Sequence, residues 1–344
     1  MKKVLSLSLS MILAASVALA GCGNDNSGSN SQGSDGNEGA AKSDVQIGMV
    51  TDVGGVNDKS FNQSAWEALQ AVEAESGAKV KYLQSKSDSD YNTNLNEFVQ
   101  NNYNLTWGIG FQLADAIKTV AEQNPESNLA IIDSVVDAPN VKSVTFAEEQ
   151  GSFLVGVIAG KMTKTNKVGF VGGMNSPLIK RFEVGFREGV KAVNPDAKFI
   201  PTYTGNFDKP DEGKTAAATL YNDGVDIIFH AAGATGTGVF NEGLSRKKSG
   251  QDVWVIGVDK DQSIEFGDEI TLTSMIKKVD EAVKKVSLEL VNGTFEGGIE
   301  ELDLADNAVG IAETSTANVP EDVLKLVDEY KEKIISGEIV VPTE

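Results

Sequence analysis

Residues 45–72 read VQIGMVTDVGGVNDKSFNQSAWEALQAV and join an apolar run, a glycine-containing loop and a helical pattern. The run Val45–Val50 has the length and composition of a buried strand. After the loop, apolar side chains recur at offsets of three and four and so share one helix face: Phe61, Ala65, Ala68, Leu69 and Val72. A strand followed directly by an amphipathic helix is the repeating unit of an α/β sheet.

This alternation continues along the chain and restarts once. The first series of predicted strands comprises Val45–Val50, Lys79–Leu83, Leu105–Ile109, Leu129–Ile132 and Ser143–Phe146. The second series comprises Lys167–Val171, Lys198–Tyr203, Asp226–Phe229, Val253–Gly257 and Thr271–Met275. Strands separated by helices form parallel, doubly wound sheets, so the sequence predicts an α/β fold with one such sheet in each of two lobes.

The two lobes are expected to lie close together with a ligand cleft between them, because no stretch of linker composition separates the two series. The first lobe is expected to contain residues 44–148 with part of 275–300. The second is expected to contain residues 149–274 with part of 301–344. A helix at residues 150–161 is predicted to pack between the two units.

Late elements indicate that the chain crosses between the lobes more than once. They are a predicted strand pair, Ile299–Leu304 with Ala308–Ile311, and a helix at Pro320–Ile334. Ligands of open parallel sheets bind beyond the carboxyl ends of the strands. The binding site is therefore predicted among the residues that follow the strands.

The first 22 residues have the pattern of an export signal. Lys2 and Lys3 precede the apolar run Met11–Ala20, which ends in Leu19-Ala20-Gly21-Cys22. These last four residues resemble a bacterial lipobox, which implies that Cys22 becomes the lipid-modified N-terminus. The alternative is a signal cut elsewhere that leaves Cys22 free or buried. No other segment has the ~20 apolar residues of a membrane-spanning helix, so membrane attachment is expected to depend on Cys22.

The composition of the mature chain limits the classes of partner that it can bind. Residues 23–43 are expected to form a disordered tether, since residues 23–39 contain only Gly, Asn, Asp, Ser, Gln and Glu. The whole chain has a formal net charge of −20. Such a surface repels phosphate backbones and anionic headgroups, which excludes a nucleic-acid partner. With one cysteine in 344 residues, an internal disulfide is impossible.

Four segments after predicted strands carry a specific resemblance. They are Asp52-Val53-Gly54-Gly55-Val56-Asn57-Asp58-Lys59-Ser60-Phe61-Asn62, Ile131-Ile132-Asp133, Ala232-Gly233-Ala234-Thr235-Gly236 and Ile256-Gly257-Val258-Asp259-Lys260-Asp261-Gln262. Together they resemble the basic membrane protein family of substrate-binding lipoproteins, whose best-understood members are purine nucleoside receptors. The resemblance covers nearly all of the mature domain. It implies a periplasmic-binding-protein-like fold of type I and an ABC permease in the membrane as partner.

Two aromatic side chains are candidate walls of the ligand site. Phe61 lies in the first turn of a helix that opens onto the cleft, where its ring either packs in the core or stacks on a flat ligand. The resemblance implies that Phe207 closes over the ligand from the second lobe and faces Phe61; the alternative is packing on its own helix. Asp58 and Ser60 are expected either to cap the helix or to contact the ligand.

Polar groups of the second lobe suit a ribose. Asp259 follows an apolar strand, where burying a carboxylate would cost more free energy than exposing it to the cleft. Its two oxygens match adjacent 2′ and 3′ hydroxyls. The resemblance implies that Lys277 lies beside the ribose, with Lys278 as the alternative. Gly233 and Gly236 either let a ligand approach the backbone or form a helix-entry turn.

In the first lobe, Asp52, Asn62 and Asp133 lie at or near strand ends and are candidates to contact the edge of a base. A carboxylate accepts from N1–H of guanine or hypoxanthine, whereas adenine lacks that donor. The pattern therefore favours 6-oxopurines. Asp137 is the alternative to Asp133.

The sequence lacks the groups of an enzyme. His230 is the only histidine, and no metal-ligand cluster, Gly-x-Ser-x-Gly elbow or phosphate-binding Gly-x4-Gly-Lys-Ser/Thr loop occurs. No cofactor and no metal are expected. The predicted function is that of a monomeric, lipid-anchored protein on the extracytoplasmic face of the cell membrane, which captures a guanosine- or inosine-type nucleoside for an ABC importer. The alternatives are a ligand-sensing lipoprotein or a receptor for another small solute, such as a sugar.

Overall fold

The computed structural model describes residues 44–344. The strands in this range are β1 (Gln46–Thr51), β2 (Lys79–Gln84), β3 (Leu105–Ile109), β4 (Leu129–Ile132), β5 (Val141–Phe146), β6 (Lys167–Gly172), β7 (Lys198–Tyr203), β8 (Ile227–Ala231), β9 (Trp254–Asp259), β10 (Thr271–Lys277), β11 (Gly298–Leu302) and β12 (Val309–Ile311). The α-helices are α1 (Phe61–Ser76), α2 (Tyr91–Gln100), α3 (Ala114–Gln123), α4 (Glu148–Met162), α5 (Pro177–Val193), α6 (Pro210–Asn222), α7 (Gly236–Lys248), α8 (Ser263–Phe266), α9 (Val279–Val291) and α10 (Glu321–Ile335). The predicted signal, Cys22 and the tether lie outside the described residues.

The first sheet has the strand order β2-β1-β3-β4-β5-β11, with all neighbours parallel. Every residue of β3 and β4 is buried, as in central parallel strands that helices cover on both faces. Helices α1, α2 and α3 pack on this sheet, and α9 packs on α1. The indole Nε1 of Trp107 donates to Ser287 Oγ of α9 at 3.0 Å. We call this sheet and its four helices the first lobe.

The second sheet has the order β7-β6-β8-β9-β10-β12, in which only β12 runs antiparallel to its neighbour. With α4 to α8 and α10 it forms what we call the second lobe. The first five strands of both sheets follow the same doubly wound order. Helices α4 and α5 approach so closely that a Cβ on Gly189 would lie 2.0 Å from the Phe153 carbonyl oxygen. The predicted fold class of two doubly wound α/β sheets is confirmed.

The structure corrects one prediction about the two late strands. The predicted pairing of Ile299–Leu304 with Ala308–Ile311 is wrong, because β11 pairs with β5 at the edge of the first sheet and β12 with β10 at the edge of the second. Each strand satisfies the free edge of a different sheet, and residues 303–308 carry the chain between them. The predicted helix at 150–161 is confirmed as α4, but its predicted packing between the two units is wrong, because α4 packs chiefly on α5 in the second lobe.

The chain passes between the lobes at three places, which we call the crossovers. They are Ala147 between β5 and α4, Lys278 between β10 and α9, and residues 303–308 between β11 and β12. Ala147 N donates to Leu302 O at 2.9 Å, and Lys278 N donates to Ala308 O at 2.9 Å. These bonds hold the three crossovers side by side at one end of the cleft.

Candidate ligand-binding site

A cavity lies between the carboxyl ends of the two sheets. Its empty volume is about 510 Å³, including the opening to solvent. The structure brings all eight predicted cleft residues to its wall: Asp52, Phe61, Asn62, Asp133, Phe207, Gly233, Asp259 and Lys277. They come from both lobes, so the cavity is formed only where the lobes meet.

Two aspartates occupy equivalent positions in the two lobes. Asp133 directly follows β4 and has a φ of 69°, and Asp259 ends β9 with a φ of 66°. Left-handed backbone is unfavourable for residues other than glycine, and it concentrates at functional sites. In each lobe this conformation turns the chain out of the sheet at the rim of the cavity.

Lys277, the last residue of β10, is 1% exposed and lies between acidic groups. Its Nζ is 2.5 Å from Asp133 Oδ1 and 3.0 Å from Glu148 Oε1. The ammonium also lies 5.3 Å from the ring centroid of Phe61. Burial by itself would lower the pKa of Lys277, but the charges of the surrounding carboxylates outweigh burial and raise that pKa. The lysine is therefore a fixed cation in the wall.

The structure separates the alternatives that the sequence left open. Lys278 pairs with Glu281 at 2.9 Å and lies away from the cavity, whereas Lys277 lines it. Asp137 is exposed to solvent, and Asp133 is the acid at the cavity wall.

Asp52 and Asn62 form a polar pair on the first-lobe wall. Asn62 Nδ2 donates to Asp52 Oδ1 at 2.8 Å and to Asp58 Oδ2 at 3.1 Å, and Gly54 N donates to Asp52 Oδ1 at 2.9 Å. The Oδ1 atom of Asn62 is buried and has no hydrogen-bond partner among the described residues. A buried acceptor without a partner costs roughly 1–3 kcal/mol, which a donor on a ligand would offset.

The helix cap of α1 is Asp58. Its carboxylate accepts backbone N–H groups of Ser60 at 3.0 Å, Asn62 at 2.8 Å and Gln63 at 3.1 Å. Capping is thus the role of Asp58, although its side chain also borders the cavity. For Ser60 the capping hypothesis is wrong, because its side chain makes no cap bond. Its hydroxyl donates instead to Asp259 Oδ2 in the other lobe.

The aromatic wall contains two further rings that were not predicted from the sequence. Phe207 is 7% exposed and meets Phe111 edge-on, with ring centroids 6.2 Å apart and planes at 80°. Phe111 follows β3 in the first lobe and Phe182 belongs to α5, and both line the cavity. A signal for Phe111 was available, since Gly110-Phe111 directly follows a predicted strand. Phe182 belongs to a helix pattern typical of core residues, so its position did not indicate a ligand contact.

Comparisons with known proteins agree with this arrangement. The family described as ABC transporter substrate-binding protein PnrA-like matches residues 45–344. The chain belongs to this family. It is 47% identical to the CD4+ T-cell-stimulating antigen of Listeria innocua serovar 6a, over 99% of both chains. It is 42% identical to the ABC transporter nucleoside-binding protein BmpA of Lactococcus lactis subsp. cremoris, covering 100% of this chain and 99% of the relative.

A solved structure supports the same assignment. An ABC transporter solute-binding protein from Aeropyrum pernix K1 superposes with a TM-score of 0.80 at 30% identity, covering 87% of this chain and 94% of that one. As a PnrA-like substrate-binding protein, this chain is a binding protein and not an enzyme. Its family implies a small-molecule ligand and a membrane permease as partners.

The only histidine of this PnrA-like protein lies outside the cavity wall. His230 is fully buried, its Nε2 is 2.8 Å from Gln262 Oε1, and burial lowers its pKa to about 4. A Cβ on Gly236 would lie 2.2 Å from the imidazole, so packing on His230 accounts for this glycine. Gly233, with a φ of 52°, is the glycine that borders the cavity.

Contacts between the α1 region and the segment after β9 hold the two lobes of this PnrA-like protein together. Gln262 Nε2 donates to Lys59 O at 2.9 Å, and Lys59 Nζ lies 3.0 Å from Glu265 Oε2. Lys260 Nζ lies 2.8 Å from Glu67 Oε2. In each case a residue around α1 contacts a residue that follows β9, so the lobes meet on this side in a closed arrangement.

Within residues 44–344, no helix is long and apolar enough to cross a membrane. The same range contains no group of three or more His, Cys, Asp or Glu side chains placed to hold a metal ion.

Proposed function

We propose that this binding protein captures a purine nucleoside of the guanosine or inosine type in the cavity between its lobes and delivers it to an ABC importer. The observation that carries the proposal is the combination of aromatic walls with hydrogen-bond acceptors in one buried cavity: Phe61, Phe111, Phe182 and Phe207 with Asp52, Asn62, Asp133 and Asp259. The Lactococcus relative is named a nucleoside-binding protein, which supports the same ligand class.

The aromatic walls suit a flat heterocycle. Phe61 comes from the first lobe and Phe207 from the second, so closure brings a ring from each lobe to the ligand. Stacking of one base on one aromatic ring contributes ~1–3 kcal/mol. A base held in this way is desolvated, which makes its edge contacts selective.

The acceptors on the first-lobe wall favour a 6-oxopurine. The ionised carboxylate of Asp52 and the free Oδ1 of Asn62 both accept hydrogen bonds, and neither offers a donor to an N1 acceptor. Guanine and hypoxanthine present N1–H as a donor, whereas adenine presents a lone pair there. Leaving that lone pair against a carboxylate costs a hydrogen bond on both sides.

The second-lobe groups suit the sugar. Asp259 accepts from two adjacent hydroxyls, and Lys277 donates to a hydroxyl or ring oxygen. A ligand placed with its base toward Phe61 and Asn62 and its ribose toward Asp259 would contact both lobes. Such a ligand stabilises the closed form over the open form, which is how hinge-type binding proteins respond to their ligands.

Titration calorimetry with guanosine, inosine and adenosine tests the ligand class. We expect guanosine and inosine to bind and adenosine to bind at least tenfold more weakly, because adenosine loses the hydrogen bond from N1–H. A loss of about 1.4 kcal/mol in binding free energy corresponds to a tenfold weaker affinity. Equal affinity for all three would refute the 6-oxopurine preference. Absence of binding by any of them, together with a different small molecule released from denatured purified protein in mass spectrometry, would refute the nucleoside proposal.

Delivery to an importer and lipid anchoring require separate tests. We propose that Cys22 carries the anchoring lipid and that residues 23–43 tether the two lobes to the outer face of the membrane. Metabolic labelling with a fatty acid should mark the parent protein and not a Cys22→Ser variant. Uptake of radiolabelled guanosine by cells should fall when the gene is deleted. Labelling without loss of uptake would favour a sensing role over import.

A further inference from the structure

Glu148 is a buried acid that the proposed binding mode does not use. It is the first residue of α4, is fully buried and is absent from the cavity wall. Its Oε1 lies 3.0 Å from Lys277 Nζ and its Oε2 lies 3.5 Å from Arg181 Nη1. A buried carboxylate is costly unless cations compensate its charge. Here one carboxylate lies between two cations of its own lobe.

Both of these cations also reach the first lobe. Lys277 pairs with Asp133 at 2.5 Å, and Arg181 Nη2 lies 3.4 Å from Glu301 Oε1 on β11. The carboxyl group of Glu148 therefore contacts the cations of two ion pairs that bridge the lobes. One of these pairs lies at the cavity wall and the other lies outside it.

The same residues adjoin all three crossovers. Glu148 follows Ala147, Lys277 precedes Lys278, and Glu301 is the second-last residue of β11, directly before the third crossover. Any rotation of one lobe relative to the other takes place around these segments. The Lys277 ammonium thus lies close to the backbone segments that move when the lobes rotate.

We propose that Glu148 is a positioning residue, which fixes the Lys277 ammonium toward the ligand and couples it through Arg181 to closure of the lobes. The proposal rests on the proposed function only in taking Lys277 as a ligand contact. Lysine has a flexible four-carbon stem, so its ammonium needs a fixed partner to hold one orientation. Because Glu148 and Lys277 belong to the same lobe, this contact persists when the lobes separate, and Lys277 is oriented before the ligand arrives.

The first test needs no ligand. The side-chain ammonium signal of Lys277 is followed by NMR with ¹⁵N-labelled lysine and is assigned by its loss in Lys277→Met. We expect a slowly exchanging signal in the parent that shifts or broadens in Glu148→Gln. The matched control is Glu242→Gln, because Glu242 is also a buried helix acid of the second lobe but pairs with Arg246, at 2.6 Å. An unchanged signal in Glu148→Gln would overturn the proposal.

The second test is a double-mutant cycle on guanosine affinity. We expect Glu148→Gln to weaken binding about tenfold, mainly through a faster dissociation rate, with Glu148→Asp in between. Lys277→Met should weaken binding further, and the double variant should bind like Lys277→Met alone, since Glu148 acts through Lys277. Independent, multiplying effects would refute the coupling. A structural defect would instead lower the melting temperature in Glu148→Gln and in Glu148→Asp alike.

The two tests fail separately. If the parent binds no nucleoside, the proposed function fails, and the NMR comparison still decides whether Glu148 fixes Lys277. If the parent binds guanosine and Glu148→Gln binds it equally well, the positioning role fails and the proposed function stands.

Discussion

Ser60 of the first lobe donates a hydrogen bond from its hydroxyl to Asp259 Oδ2 of the second lobe. The bond joins the loop before α1 to the last residue of β9, whose carboxylate is the one proposed to bind the ribose. Gln262 adds a second link nearby, and its side-chain oxygen is held by Val258 N at 3.0 Å and by His230. Closure of the lobes and orientation of the ribose acceptor therefore depend on the same short segment.

Replacing Ser60 by alanine should weaken ligand binding. The variant removes a hydrogen bond to a charged group, and such bonds contribute ~1.5–3 kcal/mol, so guanosine affinity should fall by at least about tenfold. Most of the change is expected in the dissociation rate, measured by stopped-flow fluorescence, because the bond forms only in the closed form. Ser76→Ala is the control, since its hydroxyl bonds only to Val72 O within α1, at 2.7 Å. A Ser60→Ala protein with parental kinetics would contradict this role of the Ser60–Asp259 hydrogen bond.

Guanosine affinity should rise with pH through neutrality. Burial raises the pKa of Asp52 to about 7 and that of Asp259 to about 7, despite opposing contributions from Asn62 and Lys277. Donor groups on the ligand favour the ionised carboxylates, so binding below pH 7 must first release protons. We expect calorimetry between pH 5.5 and 8 to show tighter binding as pH increases, with a shallower profile in Asp259→Asn. His230 stays neutral over this interval because its pKa is lowered to about 4. A flat parental profile would argue against carboxylate contacts.

The ligand-free protein should show the opposite trend in stability. A raised folded-state pKa means that the native state binds more protons than the unfolded chain between about pH 4 and 7. The contribution of Asp52 and Asp259 is therefore fully present below about pH 4 and is lost as pH rises through about 7. Denaturant titrations should give a free energy of unfolding that declines more steeply over this interval in the parent than in the Asp52→Asn/Asp259→Asn variant. Parallel profiles for parent and variant would contradict it.

The sequence predicted the positions of the site residues better than their partners. Asp52, Asp133, Gly233 and Asp259 each lie at or just after the end of a strand, and the carboxyl ends of parallel strands lie at the same edge of a sheet. Local pattern therefore sufficed to bring them to one cavity. Which neighbour each side chain contacts depends on how the two lobes pack against each other. The hydrophobic periodicity of the sequence does not predict that packing.

Glu148 shows where local pattern stops being informative. As an acid in the first turn of α4 it has an ordinary explanation, since negative charge is favourable at a helix N-terminus. Its pairing with Lys277 joins residues far apart in the chain and depends on the crossovers, which also decided the pairing of β11 and β12. The same holds for Ser60, whose bond to Asp259 replaces the cap that its position suggested.

Phe111 should prove to be part of the binding wall. Its ring meets Phe207 edge-on across the cleft, an arrangement worth ~0.5–1.5 kcal/mol beyond area burial. Phe111→Ala should therefore weaken guanosine binding by about three- to tenfold, while Phe61→Ala and Phe207→Ala weaken it more because both rings also stack on the base. The exposed Tyr82→Ala is the aromatic control, since Tyr82 packs on Trp66 outside the cavity. Thermal shifts with guanosine measure the series; parental shifts in Phe61→Ala and Phe207→Ala together would refute the aromatic sandwich.

The cavity should discriminate against phosphorylated ligands. Its wall carries the carboxyl groups of Asp52, Asp133 and Asp259, and the charge of its one cation, Lys277, is already balanced by Asp133 and Glu148. A phosphate monoester adds a charge of about −1.5 to −2 at pH 7, and like charges brought together at a buried site cost several kcal/mol. Guanosine 5′-monophosphate should therefore bind at least 100-fold more weakly than guanosine in competition calorimetry. The difference should narrow toward pH 5.5, where protonation of Asp52 and Asp259 removes part of the repulsion. Comparable affinity for both ligands would mean that the phosphate reaches a cation outside this wall, and Arg181→Ala would then identify it.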